Sequence, residues 1–319
     1  MKLSFLESRF FKRIFFFCFK YSLFKCYVAG ETEEEALEMV SVLHKLGFGV
    51  ISDILGEDIT TKAAALANCE RYVRHIRNLK NLRGHYPDIR LSISLKLSSL
   101  GMNISPSFAE CLLVDTAHEA FSHGIGLEID MEGPETMDMT VKLVENIMKN
   151  KALQAYACGG FAPRLALPAN QKCSAQYLGI IKKCGSKIRI VKGAYQGEIR
   201  NRDEITARFI ELVKNASRLG IDTAAGAHDK RNIIEPLLSN GNFVAIQGLF
   251  GVRMFYQERL AREGYGNCMY MPWGNHENAF LYLLRRFKEG IRPSVLVLFG
   301  INIIESLLWR IRRAPKTLI

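Results

Sequence analysis

Residues 89–98 read Ile-Arg-Leu-Ser-Ile-Ser-Leu-Lys-Leu-Ser and alternate without a break. In an extended chain Ile89, Leu91, Ile93, Leu95 and Leu97 share one face, and Arg90, Ser92, Ser94, Lys96 and Ser98 share the other. Barrel strands alternate in this way between the interior and the surrounding helices. The apolar face should therefore meet the helices, and Lys96 should point into the barrel mouth at the strand's C-terminal end.

Upstream, Gly30-Glu31-Thr32 marks a boundary, and Thr32 with Glu35 reads as a capping box. Leu37, Val40 and Leu43 then recur at helical spacing, Gly47 stops the helix, and a short apolar strand, Val50 to Leu55, ends in Gly56. Downstream, the same strand-then-helix unit recurs, with strand candidates at 124–131, 152–157, 186–192, 221–227, 243–249 and 267–272. Helical patterns such as Cys69–Leu82 and Ile205–Leu219 fill the gaps. Eight alternating units predict an α/β fold, a closed (βα)8 TIM-type barrel. No G-x-G-x-x-G follows a strand, which argues against a Rossmann sheet. The division expected is a basic, Phe-rich helical extension over residues 1–28 and one barrel domain over 29–319.

The 319 residues are 48% hydrophobic and 24% charged, as in a globular protein. None of the eight cysteines forms a CxxC pair, so the expected compartment is reducing and cytoplasmic. The net charge of +11 is carried by the two ends. Residues 1–28 hold six basic groups and one acid, Glu7; residues 285–319 hold eight basic groups and two acids, Glu289 and Glu305. The body between is balanced, so no basic stripe suggests a nucleic-acid groove. Phe10–Phe24 is broken by Lys12, Arg13 and Lys20, which excludes an ordinary spanning helix, and it lacks a cleavage site. Two readings remain open for it: a basic amphipathic helix on an anionic membrane, or a helix packed across the fold. The apolar run Val295–Trp309 is too short to span and contains Glu305.

Polar residues gather at the strand ends. Glu128, Asp130 and Glu132 share a face opposite Leu127, Ile129 and Met131, so Asp130 joins Lys96 at the mouth. Gln154, Arg189, Lys192, His228 and Gln247 are expected at the ends of later strands. Each alone has a bland reading as a solvated rim residue; together they are harder to dismiss, because buried charge is costly unless paired. Tyr282, Arg285, Arg286 and Glu289 fall at i, i+3, i+4 and i+7, on one helix face. Two guanidinium forks there suit a carboxylate; the bland alternative is an ion-paired, solvated face.

In order along the chain, Gly30-Glu31-Thr32, Leu55-Gly56-Glu57, Lys96-Leu97-Ser98, Ile129-Asp130-Met131-Glu132, Gln154-Ala155-Tyr156, Arg189-Ile190-Val191-Lys192-Gly193-Ala194-Tyr195, His228-Asp229, Pro272-Trp273-Gly274 and Tyr282-x-x-Arg285-Arg286-x-x-Glu289 resemble the short monofunctional bacterial proline dehydrogenases. The resemblance runs from about residue 28 to 293. It implies FAD bound non-covalently at the mouth of a distorted barrel, oxidation of L-proline to 1-pyrroline-5-carboxylate, and electron transfer to a membrane quinone. It implies that Lys96, Arg285 and Arg286 hold the carboxylate and Tyr282 packs on the ring. Asp130 and Arg189 would organise the reacting centre. Met131, Gln154, Val191, Lys192, Gly193, Ala194, Ala227 and His228 would line the flavin, and Glu57 would pair with Arg285 as a gate. Three positions depart from the family pattern: Ala227 in place of threonine, Ala157-Cys158-Gly159-Gly160 in place of an arginine after Gln-Ala-Tyr, and Gln196 in place of an aromatic residue. Two rivals stand beside this reading. One is a Schiff-base lyase or aldolase using Lys96 or Lys192; the other is a non-catalytic membrane-associated scaffold.

Overall fold

A computed structural model describes residues 23–56, 59–195, 197–239, 245–290 and 296–318, with the side chains of residues 288, 289, 296 and 316 outside that description. Eight strands, β1 (Gly49–Ile54), β2 (Leu91–Lys96), β3 (Gly126–Asp130), β4 (Arg164–Pro168), β5 (Lys187–Val191), β6 (Thr223–Gly226), β7 (Ala245–Leu249) and β8 (Cys268–Trp273), pair in sequence order. Every pairing is parallel, and β8 closes on β1 through Gly49↔Cys268 to Ile54↔Trp273. The helices that cover them are α1 (Glu33–Lys45), α2 (Lys62–His85), α3 (Pro106–Ser122), α4 (Met137–Ile147), α5 (Lys151–Cys158), α6 (Tyr177–Cys184), α7 (Arg202–Arg218), α8 (Glu235–Ser239), α9 (Met254–Arg262), α10 (His276–Gly290) and α11 (Leu296–Arg313).

The local signals explain most of these limits. Thr32 Oγ1 accepts the Glu35 N–H at 3.3 Å, while the Glu35 carboxylate reaches back to the Glu31 N–H at 2.6 Å, so both ends of the expected box are bonded. Gly47 ends α1 with φ +90°, a conformation that costs glycine nothing. In β2, Leu91, Ile93 and Leu95 enter the core between barrel and helices, as does Leu97 in the 3-10 turn that follows, and Lys96 lines a cavity at the mouth.

The fourth strand lies elsewhere than expected. Residues 151–158 form α5, capped by Asn150, whose side chain accepts the Ala152 N–H at 3.0 Å. Lys-Ala-Leu-Gln-Ala-Tyr-Ala-Cys contains no β-branched residue and five good helix formers before its first aromatic, and Gly159-Gly160 ends it. Leu153 alone of these side chains is buried. The strand follows at Arg164–Pro168.

Leu23–Tyr27 is helical and packs with residues of α10 and α11, Phe280, Leu283, Phe299 and Ile303 among them. Residues 1–22, which hold most of the basic extension, lie outside the described residues.

Candidate active site

The strand ends converge on one cavity at the C-terminal mouth. Asp53, Lys96, Asp130, Met131, Arg189, Val191, Gln247 and Tyr270 reach it from the barrel, His228 from the turn after β6, and Tyr282, Arg285 and Arg286 from α10. Parallel strands of a closed barrel bring every C-terminal end to the same face, so residues 229 positions apart in the chain, such as Asp53 and Tyr282, share a wall.

Its floor is a chain of charges. Arg189 donates from Nη2 to Asp130 Oδ1 and from Nη1 to Gln247 Oε1 at 3.3 Å. Tyr270 donates to Asp130 Oδ2 at 2.6 Å, and its ring lies under the Arg189 guanidinium at 5.1 Å. Deeper in the barrel, Glu128 accepts from Gln247 Nε2 at 3.1 Å and faces Arg164 Nε at 3.3 Å and Arg189 Nη1 at 3.6 Å. Arg164 continues outward to Asp222 at 3.0 Å. Two carboxylates and two guanidinium groups thus balance inside the barrel, which is the condition for burying them. Burial opposes the Arg189 charge, but Asp130 and Glu128 outweigh it and raise its pKa. Burial, and then the Asp130 charge, push the Tyr270 phenol well above its usual range, so it keeps its proton and donates it.

His228 is held as a neutral ring. Its Nε2 accepts the Leu249 N–H at 2.6 Å, so the proton of the neutral imidazole belongs on Nδ1. Burial first, then Arg286, Arg253 and Lys192, push its pKa down to about 3.

The face predicted on α10 is present. Tyr282 is buried and Arg285 and Arg286 are half-buried, all three in the cavity wall. Arg286 lies over the Tyr282 ring at 5.7 Å, and Arg285 over the ring of Tyr195 at 5.7 Å. Tyr195 is fixed by the loop that carries it. Asn170 donates to the Tyr195 carbonyl at 2.9 Å, and Gly193 has φ +109° with a notional Cβ 2.2 Å from Asn170 Oδ1. No larger residue fits at position 193 without moving that anchor.

Of the residues expected in the site, Lys96, Asp130, Met131, Arg189, Val191, Gly193, Ala194, His228, Tyr282, Arg285 and Arg286 line the cavity. Gln154 does not: it is an exposed residue of α5, because its segment is helical, and Ala166, Pro168 and Asn170 occupy the fourth strand's place. The departure read after Gln-Ala-Tyr falls with it, since Ala157 to Gly160 end a peripheral helix. Ala227 faces the apolar core rather than the cavity, because β6 turns Gly226 inward and Ala227 outward. Lys192 sits outside the lining and pairs with Asp229 at 3.3 Å. Glu57 and Gln196 lie outside the described residues, as does the Glu289 side chain. The sequence reading missed Tyr270, Asp53 and Asn170. Tyr270 was within reach, since Cys268, Tyr270 and Pro272 share the inward face of β8 by simple alternation.

The family model described as "Proline dehydrogenase" matches residues 36–207. Among curated relatives, "Proline dehydrogenase 1" of Bacillus subtilis subsp. natto is 26% identical over 286 residues, covering 86% of this chain and 89% of that one. "Proline dehydrogenase" of Deinococcus radiodurans is 25% identical over 300 residues, covering 88% and 90%. Among solved structures, proline utilization A of Bdellovibrio bacteriovorus, inactivated by N-propargylglycine, shares the fold with a TM-score of 0.75 at 18% identity over 86% of this chain. This chain spans 33% of that longer protein.

Proposed function

The chain belongs to the proline dehydrogenase family, and from that premise we propose that it oxidises L-proline to 1-pyrroline-5-carboxylate with FAD and passes the electrons to a quinone. The observation that carries the reading is the meeting of Lys96, Arg285 and Arg286 with the Tyr282 ring above the Asp130–Arg189–Tyr270 floor. Three cations suit one carboxylate, and an aromatic face suits a small saturated ring.

The residues present fit a flavin. Arg189 Nε is buried without a hydrogen-bond partner among the described residues, as expected of a donor that serves a bound group. Ala166 and Gly226 leave part of the wall without large side chains. Met131, Val191, Gly193, Ala194, Arg189 and His228 would hold the ring system. FAD, when bound, supplies the hydride acceptor for the substrate C–H bond.

The chain's own residues supply position and charge. Lys96, Arg285 and Arg286 fix the carboxylate, so the substrate cannot rotate about its ring. Tyr282 packs on the ring and excludes water from one side. Arg189 would hold a permanent cation beside the hydride acceptor and favour the negative charge that acceptor gains, and Asp130 with Tyr270 keeps that cation oriented. His228, neutral with its proton on Nδ1, offers a donor without adding charge. Glu57 is the proposed gate partner of Arg285.

The same proposal places the enzyme in the cytoplasm with peripheral contact at the inner face of the membrane through its basic ends, where a quinone is reached. Absorbance during anaerobic addition of L-proline tests the central claim. Oxidised flavin bands that bleach are the expected result; bound flavin that stays oxidised would remove proline as the substrate.

A further inference from the structure

Helix α11 is amphipathic in an inverted sense. Its exposed side chains from Val297 to Ile311 are all apolar: Val297, Leu298, Ile301, Ile304, Leu308 and Ile311, with Val297 at 75% and Ile304 at 62% exposure. Residues 297, 301, 304, 308 and 311 form one stripe, about 21 Å long at 1.5 Å per residue. The polar residues of the same stretch turn inward instead. Asn302 donates to the Gly251 carbonyl at 2.8 Å and to Tyr27 at 3.1 Å. Glu305 accepts the Phe255 N–H at 3.2 Å, and Ser306 donates to the Cys26 carbonyl at 3.1 Å. An ordinary surface helix does the reverse, because water is the cheaper partner for polar groups. A contiguous apolar face of this size marks a surface that something apolar covers.

The charge around the stripe identifies what covers it. Arg312 lies exposed at its C-terminal end, next to Arg313, which pairs with Glu258 at 2.8 Å. Arg310 donates to the carbonyls of Lys25, Val28 and Ala29, so the first described residues are held against this helix, and the chain as a whole carries a net charge of +11. A second copy would bring the same positive sign against it; an anionic lipid surface brings the opposite sign. Among the described residues no helix is long and apolar enough to cross a membrane, so the helix would lie in the surface plane.

We propose that the exposed face of α11 is the lipid-binding surface of this protein, buried at the headgroup–acyl boundary of an anionic bilayer. The proposal rests on the membrane contact of the preceding reading and deepens it, since α11 packs on α10, which carries the Tyr282, Arg285 and Arg286 wall.

The test is co-sedimentation with phosphatidylglycerol/phosphatidylcholine vesicles and with pure phosphatidylcholine vesicles. It compares the full chain, a triple variant Ile301→Ser, Ile304→Ser, Leu308→Ser, and a chain lacking residues 1–22. Thermal unfolding confirms that each is folded. The expected result is binding of the full chain to anionic vesicles, weakened on the order of 100-fold in the triple variant by the loss of three apolar side chains. Retained binding by the triple variant with loss on deleting residues 1–22 would overturn the α11 surface while leaving membrane contact standing. No vesicle binding by the full chain would overturn both. Conversion of an oligomer to a monomer by the triple variant, with vesicle binding unchanged, would assign the face to a second copy.

Discussion

Two buried polar clusters lie on opposite faces of the same barrel wall, and they differ in what they leave unsatisfied. Outside the sheet, Trp273 Nε1–H donates to Ser52 Oγ at 2.9 Å, Ser52 meets His75 Nε2 at 2.8 Å, and His75 Nδ1 meets Glu33 at 2.7 Å. Inside, Tyr270 and Arg189 converge on Asp130. The outer array has the Ser–His–carboxylate order of a hydrolase, with good distances. Yet Ser52 and His75 are 0% exposed, and the serine is occupied by the indole. The inner array has a less familiar pattern but opens on a cavity and keeps an Arg189 Nε with no hydrogen-bond partner among the described residues. Access and an unmet hydrogen-bonding capacity separate a site from a staple; distances alone do not.

The largest effect expected is on the inner cluster. Arg189→Lys keeps one charge but loses the fork that spans Asp130 and Gln247, and kcat/KM for proline should fall by about 10²–10³-fold. Steady-state kinetics with a soluble acceptor measures it, and unchanged turnover would make the inner cluster as structural as the outer one.

His75→Leu is the matching change outside. It leaves the Ser52 hydroxyl and Glu33 without their shared partner, and denaturant unfolding should show a loss of about 2–3 kcal/mol. Turnover per folded molecule should not change; a fall in turnover at full stability would move this cluster into the function.

The smallest effect separates Glu33 of the outer cluster from His228 in the cavity wall along the pH axis. The His75 hydrogen bond holds the Glu33 carboxyl down to about 2, against an ordinary 4.5. The stabilisation it provides is complete above pH 4.5 and is lost as pH falls toward 2. His228, held down to about 3 against 6.5, gives stabilisation that is complete above pH 6.5 and is lost as pH falls toward 3. Unfolding free energy followed against pH should lose the upper part of its acid decline in His228→Gln and the lower part in Glu33→Gln. If both variants flatten the same interval, Glu33 and His228 do not titrate independently.

What was legible in the chain follows the range of each signal. The capping box at Thr32, the alternation of residues 89–98 and the helical spacing of Tyr282, Arg285 and Arg286 are local, and each appears as read. The expected strand at 152–157 is a helix because its local pattern is helical: an Asn150 cap, helix formers and a Gly-Gly stop. Ala227 and Lys192 were placed by motif position, whereas strand alternation and the Asp229 ion pair decide where their side chains go.

By itself the sequence determined the strand and helix periods, the α/β alternation that closes a barrel, and the residue types gathered at its strand ends, because these depend on neighbours within a few positions. Only the tertiary structure decided that Tyr270 meets Asp130 across 140 residues, that the Ser52–His75–Glu33 array is sealed, and that α11 turns its polar side inward. Those outcomes depend on which atoms lose water together, and that is settled when the chain closes on itself rather than along its length.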